Sequence, residues 1–221
     1  MNKLNYIRKA CLINDIIFKE IINNFNFKTE NYISKYIKKR FKDFKVKQAY
    51  PSIVANNIIK IHPKPRKEIL KRGFLILDFG CKYKGYCSDF TRTIFLGNIS
   101  KKEKIMYNLV ANCNKKCIKK LKIGYAYCDL DLYARSLLKN YKPYFLHSLG
   151  HGIGKKVHEL PSINAISTAK IKKGDIITIE PGIYFREKNK NVCIRVEDTV
   201  YIGNKIEILT KTNKNLIAIK K

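Results

Sequence analysis

The stretch Leu75–Gly97 reads LILDFGCKYKGYCSDFTRTIFLG and has the composition of a β-hairpin. β-Branched and aromatic residues surround its two acids, Asp78 and Asp89, and the pair Lys84-Gly85 supplies a turn between them. An acid among apolar strand residues is costly to bury unless a cation neutralises it. From this stretch alone, pairing with lysines and binding of a metal ion both remain open.

Composition predicts a globular protein, because the chain has 221 residues of which 45% are hydrophobic, enough for one full core. Its seven cysteines have no paired short spacings, which disfavours a disulfide framework or a zinc ribbon and favours a reducing environment. Charges interrupt every apolar run near the N-terminus, so we expect neither a signal peptide nor a membrane span. The sequence therefore predicts a soluble, cytoplasmic protein, and its oligomeric state cannot be read.

The formal net charge of +29 comes from 46 basic and 17 acidic residues and raises the question of a nucleic-acid partner. Thirty-eight of the basic residues are lysines and eight are arginines, spread along the chain without one concentrated block. Recognition of phosphates and base edges relies on arginine, and on aromatic residues within a basic stripe. We therefore interpret the charge mainly as compositional drift, with non-specific attraction to RNA or ribosomes as a side effect.

The order of predicted elements indicates an internal duplication. Two amphipathic helices are expected in the first forty residues, the second capped by Thr29, and a third follows a capping box of Ser100 and Glu103. A fourth helix is expected at 129–138, and short apolar runs predict strands at 52–55, 74–78, 144–146, 176–179, 192–200 and 205–209. Helices followed by strands thus occur twice, at about 1–98 and 99–221, and we predict one α+β domain over 1–221.

Four further stretches place His or Glu in strand-like or glycine-rich surroundings: NIIKIHPKP (57–65), HSLGHGIGKKVHELP (147–161), TIEPGIY (178–184) and RVED (195–198). Each is a weak signal alone, because single acids and histidines usually have structural roles. Together with the opening stretch they supply a metal-ligand set of Asp78, Asp89, His151, Glu180 and Glu197. Four carboxylates and one imidazole suit two divalent ions such as Mn²⁺, Co²⁺, Fe²⁺ or Zn²⁺, whose positive charge balances the four acids.

The blocks DFGCKYKGYCSDFTRT, GHGIGKKVHE, IEPGIY and RVED resemble the signature motifs of the pita-bread metallopeptidases, the family of Xaa-Pro aminopeptidases, prolidases and methionine aminopeptidases. The resemblance extends from about Leu4 to Ile208. It implies a pseudo-twofold α+β fold, with helices packed on a curved antiparallel sheet and a dinuclear metal site between the halves. It also implies a metal-dependent aminopeptidase that acts on peptide or nascent-protein N-termini.

The same resemblance implies a role for each metal ligand. Asp78 would bind one ion through both carboxylate oxygens, and Asp89 and Glu197 would bridge the pair. His151 and Glu180 would complete the shell of the other ion. A water held between two cations loses a proton near neutral pH and can attack the scissile carbonyl.

Three residues are implied in catalysis. Glu180 is the candidate proton shuttle between the water and the leaving amine. His158 and His62 would hydrogen-bond the substrate carbonyl and the peptide backbone. Arg195 and Asp198, which flank Glu197, are either supports of the ligands or ordinary strand-edge charges, and both interpretations remain open.

Features of the sequence disagree on the substrate specificity, that is, on which N-terminal residue is removed. The blocks are closer to the Xaa-Pro enzymes, whereas the short loop 57–62 and the lack of a segment before Leu4 for an extra N-terminal domain favour methionine aminopeptidase. We give the blocks more weight because they are the longer match. A different class stays open, a metal-free pita-bread domain that binds RNA, histones or ribosomes, although the complete ligand set favours an active enzyme.

Overall fold

The structure, a computed structural model, describes residues 3–220. Within this range the helices are α1 Lys3–Asn23, α2 Glu30–Asp43, α3 Lys101–Lys120 and α4 Tyr127–Leu137, and a 3₁₀ helix spans Lys139–Tyr144. The strands are β1 Lys47–Gln48, β2 Ile53–Asn56, β3 Gly73–Asp78, β4 Cys81–Tyr83, β5 Tyr86–Cys87, β6 Thr91–Leu96, β7 Gly150–Gly152, β8 Glu159–Ile163, β9 Ile176–Ile179, β10 Gly182–Glu187, β11 Lys190–Arg195, β12 Asp198–Ile202, β13 Ile206–Ile208 and β14 Ala218–Ile219. The predicted α+β class is confirmed.

The predicted helix caps are present. The hydroxyl of Thr29 accepts a hydrogen bond from the backbone N–H of Tyr32 at 3.1 Å and begins α2. Ser100 and Glu103 form the capping box of α3, in which each side chain accepts from the backbone N–H of the other. The carboxylate of Glu103 also pairs with Arg72 at 2.6 Å. Because Arg72 immediately precedes β3, this ion pair connects the start of α3 to the start of β3.

Two sheets carry the two groups of helices. The first has the strand order β14-β6-β3-β2, and apolar residues of α1 and α2 pack against it. The second has the order β13-β12-β9-β7-β8, and apolar residues of α3 and α4 pack against it. Burial of these helix faces between helix and sheet supplies the main driving force for each half of the core.

The two sheets are joined where β6 meets the segment between β11 and β12. Thr91 and Glu197 form an isolated antiparallel bridge, in which the N–H of Glu197 donates to the carbonyl of Thr91 at 3.1 Å. The Thr93 hydroxyl donates to the carbonyl of Arg195 at 2.8 Å and accepts from its N–H at 3.1 Å. This junction brings together residues that are about 100 positions apart in the chain.

The opening stretch forms a hairpin within a hairpin. β3 pairs antiparallel with β6, so that Asp78 lies opposite Thr91. The turn at Lys84-Gly85 closes only the smaller β4–β5 hairpin, and both turn residues have positive φ, 49° and 87°. Asp78 therefore ends one long strand, and Asp89 lies just before the other.

Two strand predictions were wrong. Residues 144–146 form no strand, because the 3₁₀ helix continues to Tyr144 with Pro143 inside it, and Pro143 has no N–H to donate to a sheet. The predicted run 192–200 is broken, since β11 ends at Arg195 and β12 begins at Asp198. The break leaves the N–H of Glu197 free to bond the first sheet.

The first sheet, β14-β6-β3-β2, is not wholly antiparallel, because β14 runs parallel to β6. The last strand of the second predicted half thus belongs to the sheet of the first, and the duplication of 1–98 and 99–221 stays a prediction. The seven cysteines all lie in the described range, and all have free thiols. None of the helices within residues 3–220 is long and apolar enough to cross a membrane.

Candidate metal centre

Three predicted ligands form one compact cluster. Donor atoms of Asp89, His151 and Glu197 all lie within 4.8 Å of one another. Asp89 precedes β6, His151 is on β7, and Glu197 occupies the break between β11 and β12. Both acids are buried, at 5% and 2% exposure, so bulk water cannot screen their charges.

The other two predicted ligands border the same cluster. Nε2 of His151 lies 3.3 Å from Oε1 of Glu180 and 3.6 Å from Oδ2 of Asp89. Asp78 accepts a hydrogen bond from the hydroxyl of Tyr50 at 2.6 Å, and the same hydroxyl contacts Asp89. All five predicted ligands line one cavity of about 760 Å³.

The charge of this cluster shows that a cation fits it. Burial and the neighbouring charge of Asp78 raise the pKa of Asp89 to about 7. Burial and the charge of Asp89 raise the pKa of Glu197 well above its usual range. The buried Oε1 of Glu197 also has no hydrogen-bond partner within residues 3–220. Acids that are forced together in this way, with a free oxygen, suit a hard divalent cation.

His151 and Glu180 form the charged pair of the metal-free site. Burial alone would lower the pKa of His151, but the hydrogen bond with Glu180 and its charge raise it to about 9. Burial alone would raise the pKa of Glu180, but the same partner lowers it to about 2. Nδ1 of His151 lies 3.0 Å from the carbonyl of Gly152, which orients Nε2 toward the carboxylates.

Buried ion pairs hold residues of the cluster and residues next to it in the chain. The guanidinium of Arg195, 2% exposed, pairs with Asp78 and donates to the hydroxyl of Tyr184 at 2.7 Å. Asp198 is fully buried and pairs with Arg92 at 2.7 Å and with Lys214. Arg195 and Asp198 are therefore not ordinary strand-edge charges, and Arg195 pairs directly with the carboxylate of the predicted ligand Asp78.

Two further residues contact the predicted ligands and a third contacts the backbone beside them, and none of the three is predicted from the sequence. The hydroxyl of Tyr50 contacts two ligand carboxylates, and the hydroxyl of Thr91 donates to Oε2 of Glu197 at 2.7 Å. Nδ2 of Asn114, on α3, donates to the carbonyls of Ile179 at 2.7 Å and Val196 at 3.4 Å. These carbonyls immediately precede Glu180 and Glu197. The available signal for Asn114 was a polar residue on the buried face of α3.

The histidines differ in how far their side chains are exposed to the cavity. His62 and His158 are exposed and line the cavity, and the ring of His158 meets that of His151 edge-on, with centroids 4.3 Å apart. Burial and the neighbouring His151 lower the pKa of His158. His147 is held by the hydroxyl of Tyr184 at 3.1 Å, and burial lowers its pKa to about 4. His62 and His158 are thus open to a peptide, whereas His147 forms part of the wall.

Comparison with known proteins places the chain in a family. Residues 5–204 match metallopeptidase family M24. The chain is 37% identical over 177 residues to the Xaa-Pro dipeptidase of Pyrococcus furiosus, a match that covers 77% of this chain and 50% of that protein. It is 35% identical over 182 residues to the putative Xaa-Pro aminopeptidase of Mycoplasma genitalium, a match that covers 79% of this chain and 51% of that protein.

A solved structure of a prolidase has the same fold as this chain. The recombinant prolidase of Thermococcus sibiricus superposes with a TM-score of 0.92 at 32% identity, over 98% of this chain and 61% of that one. The chain spans about half the length of the curated relatives it matches. These similarities confirm the predicted pita-bread fold and, together with the ligand cluster, the predicted divalent-metal cofactor. The chain belongs to metallopeptidase family M24.

Proposed function

We propose that residues 1–221 form one catalytic domain of a metal-dependent aminopeptidase that hydrolyses the bond between an N-terminal residue and a following proline. The main support is that five predicted metal ligands, distant along the chain, line one cavity, and that donor atoms of three of them lie within 4.8 Å of one another. The Xaa-Pro dipeptidase and prolidase relatives support the choice of substrate. Peptides are the proposed partners, and the basic surface gives no reason to name a specific RNA.

The ligand chemistry supports a two-metal site. Asp78, Asp89, His151, Glu180 and Glu197 would hold two divalent ions, Mn²⁺, Co²⁺, Fe²⁺ or Zn²⁺, because their four carboxylates match the charge of such a pair. Divalent ions bound there would polarise the scissile carbonyl and lower the pKa of a water molecule.

The remaining chemistry falls to side chains around the ligands. The carboxylate of Glu180 would accept a proton from the attacking water and release it to the leaving amine. His62 and His158, exposed to the cavity, would donate hydrogen bonds to the substrate carbonyl and to the peptide backbone. Arg195, Tyr50 and Thr91 would keep the carboxylates in place through the contacts described above.

A peptide assay with Mn²⁺-loaded protein tests the specificity. The substrates are Ala-Pro, Ala-Pro-Ala and Met-Ala-Ala, and the variant Glu180→Gln is compared with Glu187→Gln, a matched change on the exposed end of β10. We expect cleavage before proline by the wild type and by Glu187→Gln, and loss of activity in Glu180→Gln.

The other outcomes identify the alternatives. Release of Met alone would replace the Xaa-Pro assignment with methionine aminopeptidase, which the short loop 57–62 favours. Absence of bound metal after loading with Mn²⁺ or Co²⁺, together with no cleavage, would instead indicate an inactive binding module.

A further inference from the structure

The segment between β7 and β8 is a short turn, residues 153–158, that borders the ligand cluster. β7 ends at Gly152 and β8 begins at Glu159, and these two residues are partners in the β7–β8 ladder. The last residue of the turn is His158, whose ring meets that of His151 edge-on, with centroids 4.3 Å apart. No hydrogen bond within residues 3–220 holds the ring of His158, so its position depends on the backbone of the turn.

The carboxylate of Glu159 folds back into this turn. Its Oε1 accepts a hydrogen bond from the backbone N–H of Lys156 at 2.9 Å. Both carboxylate oxygens also lie against Gly154, where a Cβ would overlap them. The N–H of Gly154 donates to the carbonyl of Lys156 at 3.1 Å, so the carboxylate contacts both ends of a tight bend, residues 154–156. The first side chain of β8 thus fixes the bend that precedes it.

The same bend is also fixed to the first half of the chain. The N–H of Cys87, in β5, donates to the carbonyl of Gly154 at 2.7 Å. The thiol of Cys87 donates to the carbonyl of Lys155 at 3.4 Å. The bend is therefore held by β5 and by the carboxylate of Glu159, and only two residues, one of them His158, separate it from β8. Loss of the carboxylate would release the bend and, with it, the backbone of His158.

A second interpretation of Glu159 is that its charge offsets the ammonium groups of Lys155 and Lys156. Both lysines are exposed, and exposed charges interact weakly because water and salt screen them. The contact with Gly154 and the hydrogen bond from the Lys156 N–H instead depend on the shape and the acceptor atom of the side chain. Glutamine keeps both of these and removes the charge, so Glu159→Gln separates the two interpretations.

We propose that Glu159 is a positioning residue that holds the turn 153–158 so that His158 faces the ligand cluster. The inference rests on the proposed function, in which His158 donates a hydrogen bond to the substrate. The hydrogen bond of the Glu159 carboxylate goes, among the described residues, to the turn and not to a predicted ligand. Its removal should therefore displace His158 and leave the affinity for metal unchanged. A donor displaced by about an ångström loses much of its effect on the transition state.

Kinetics of the Mn²⁺-loaded protein with Ala-Pro-Ala test the role. We expect Glu159→Ala to lower kcat about tenfold with KM within about twofold of the wild type. Glu159→Gln should retain most of the activity. Glu68→Ala, a change at an exposed acid outside the two cavities that border the ligands, serves as the control and should behave as the wild type. Calorimetry should give the same Mn²⁺ affinity for all four proteins.

A double-mutant cycle shows whether the effect passes through His158. In a His158→Ala background, Glu159→Ala should cost less than about twofold in kcat, because the group that it positions is already absent. Gly154→Ala, whose methyl group displaces the carboxylate without removing it, should reproduce the kinetics of Glu159→Ala.

Nuclear magnetic resonance of the metal-free protein gives a measurement that does not depend on activity. The nuclear Overhauser contact between the rings of His151 and His158 should be present in the wild type and in Glu159→Gln. It should be lost or weakened in Glu159→Ala, whose circular dichroism should be unchanged.

Each contrary result overturns a stated claim. Wild-type kcat in Glu159→Ala, or a ring contact that this variant retains, overturns the positioning role. A fall in Mn²⁺ affinity that matches the fall in kcat places the effect at the ligands instead. A Glu159→Gln variant as slow as Glu159→Ala overturns the hydrogen bond as the cause, and a full further loss in the His158→Ala background overturns the route through His158. If the wild type cleaves no peptide, the proposed function fails, and the ring contact still decides whether Glu159 holds His158.

Discussion

Replacing Asp89 by Asn should make the metal-free protein more stable and prevent its stabilisation by metal. Donor atoms of Asp89 and Glu197 lie within 4.8 Å of each other in a buried site. At an effective dielectric constant near 20, two ionised groups at that separation repel by about 3 kcal/mol. The imidazole of His151, 3.6 Å from Asp89, offsets part of this when protonated. We therefore expect a net gain of about 1 kcal/mol in the free energy of unfolding of Asp89→Asn at pH 8.

Bound metal should make the wild type more stable than Asp89→Asn, the reverse of their order without metal. At a free Mn²⁺ concentration one hundred times its dissociation constant, binding stabilises the wild type by about 2.7 kcal/mol per site. For a chain of this length that corresponds to a rise in Tm of about 5 to 10 °C. Asp89→Asn lacks the predicted bridging anion, and its Tm should rise by much less.

Thermal and urea unfolding, with chelator and with Mn²⁺, give both quantities. Asp129→Asn, an exposed acid at the start of α4, serves as the matched control and should behave as the wild type. An equal metal-induced shift in Asp89→Asn and wild type would refute the assignment of Asp89 as a ligand. A less stable metal-free variant would refute the claim that this cluster is electrostatically strained.

Three further predictions concern residues around the ligands. Asn114→Ala removes the donor to the carbonyls before Glu180 and Glu197, and should weaken Mn²⁺ binding about tenfold by calorimetry with unchanged circular dichroism; an unchanged affinity would contradict this role. Arg195→Gln leaves the buried Asp78 without its cation and should cost about 3 to 5 kcal/mol in urea unfolding of the metal-free protein, whereas a loss below about 1 kcal/mol would count against a buried pair. Burial alone would raise the pKa of Glu103, but hydrogen bonds from Arg72 and Ser100 lower it to about 2, so its stabilising effect is full above about pH 4.5 and disappears as the pH falls toward 2. The stability difference between wild type and Glu103→Gln should shrink over that window, and a constant difference would refute the linkage.

Candidate ligands that meet at one cavity could be named from the sequence because they lie in short, recognisable blocks. Asp78 and Asp89 stand out as acids among apolar strand residues, and Glu197 within RVED. Arg195, two residues before Glu197 in RVED, could be considered as a support, but Tyr50 and Asn114 could not be predicted, because their contacts join residues far apart in the chain. Tyr50 reaches Asp89 across 39 positions, and Asn114 reaches the carbonyl of Val196 across 82.

The errors in the fold have a local cause. The run 192–200 is apolar enough to predict one strand, but Glu197 lies at a break, where its N–H bonds the carbonyl of Thr91 in the other sheet. The run 144–146 is apolar because Phe145 packs into the core, not because it pairs with a strand. Periodicity detects burial, and it cannot tell which partner a buried backbone will choose.

The composition indicates that the positive charge is mainly drift, and the structure adds a distinction between the two basic residue types. Arginines are concentrated at ion pairs, including the fully buried pair of Arg92 with Asp198. Planar guanidinium groups suit desolvated contacts of this kind, and bidentate ones such as that of Arg72 with Glu103, better than ammonium groups do. A count of charges could not separate these structural arginines from the four lysines that line the cavity of about 760 Å³ beside the predicted ligands.

Anomalous diffraction from crystals grown with Mn²⁺ tests the central claim most directly, since it locates the ions without reference to activity. The account predicts two peaks among Asp78, Asp89, His151, Glu180 and Glu197, with Asp89 and Glu197 between them. Crystals with no peak in this cluster, or with Mn²⁺ bound only at other acids, would contradict it.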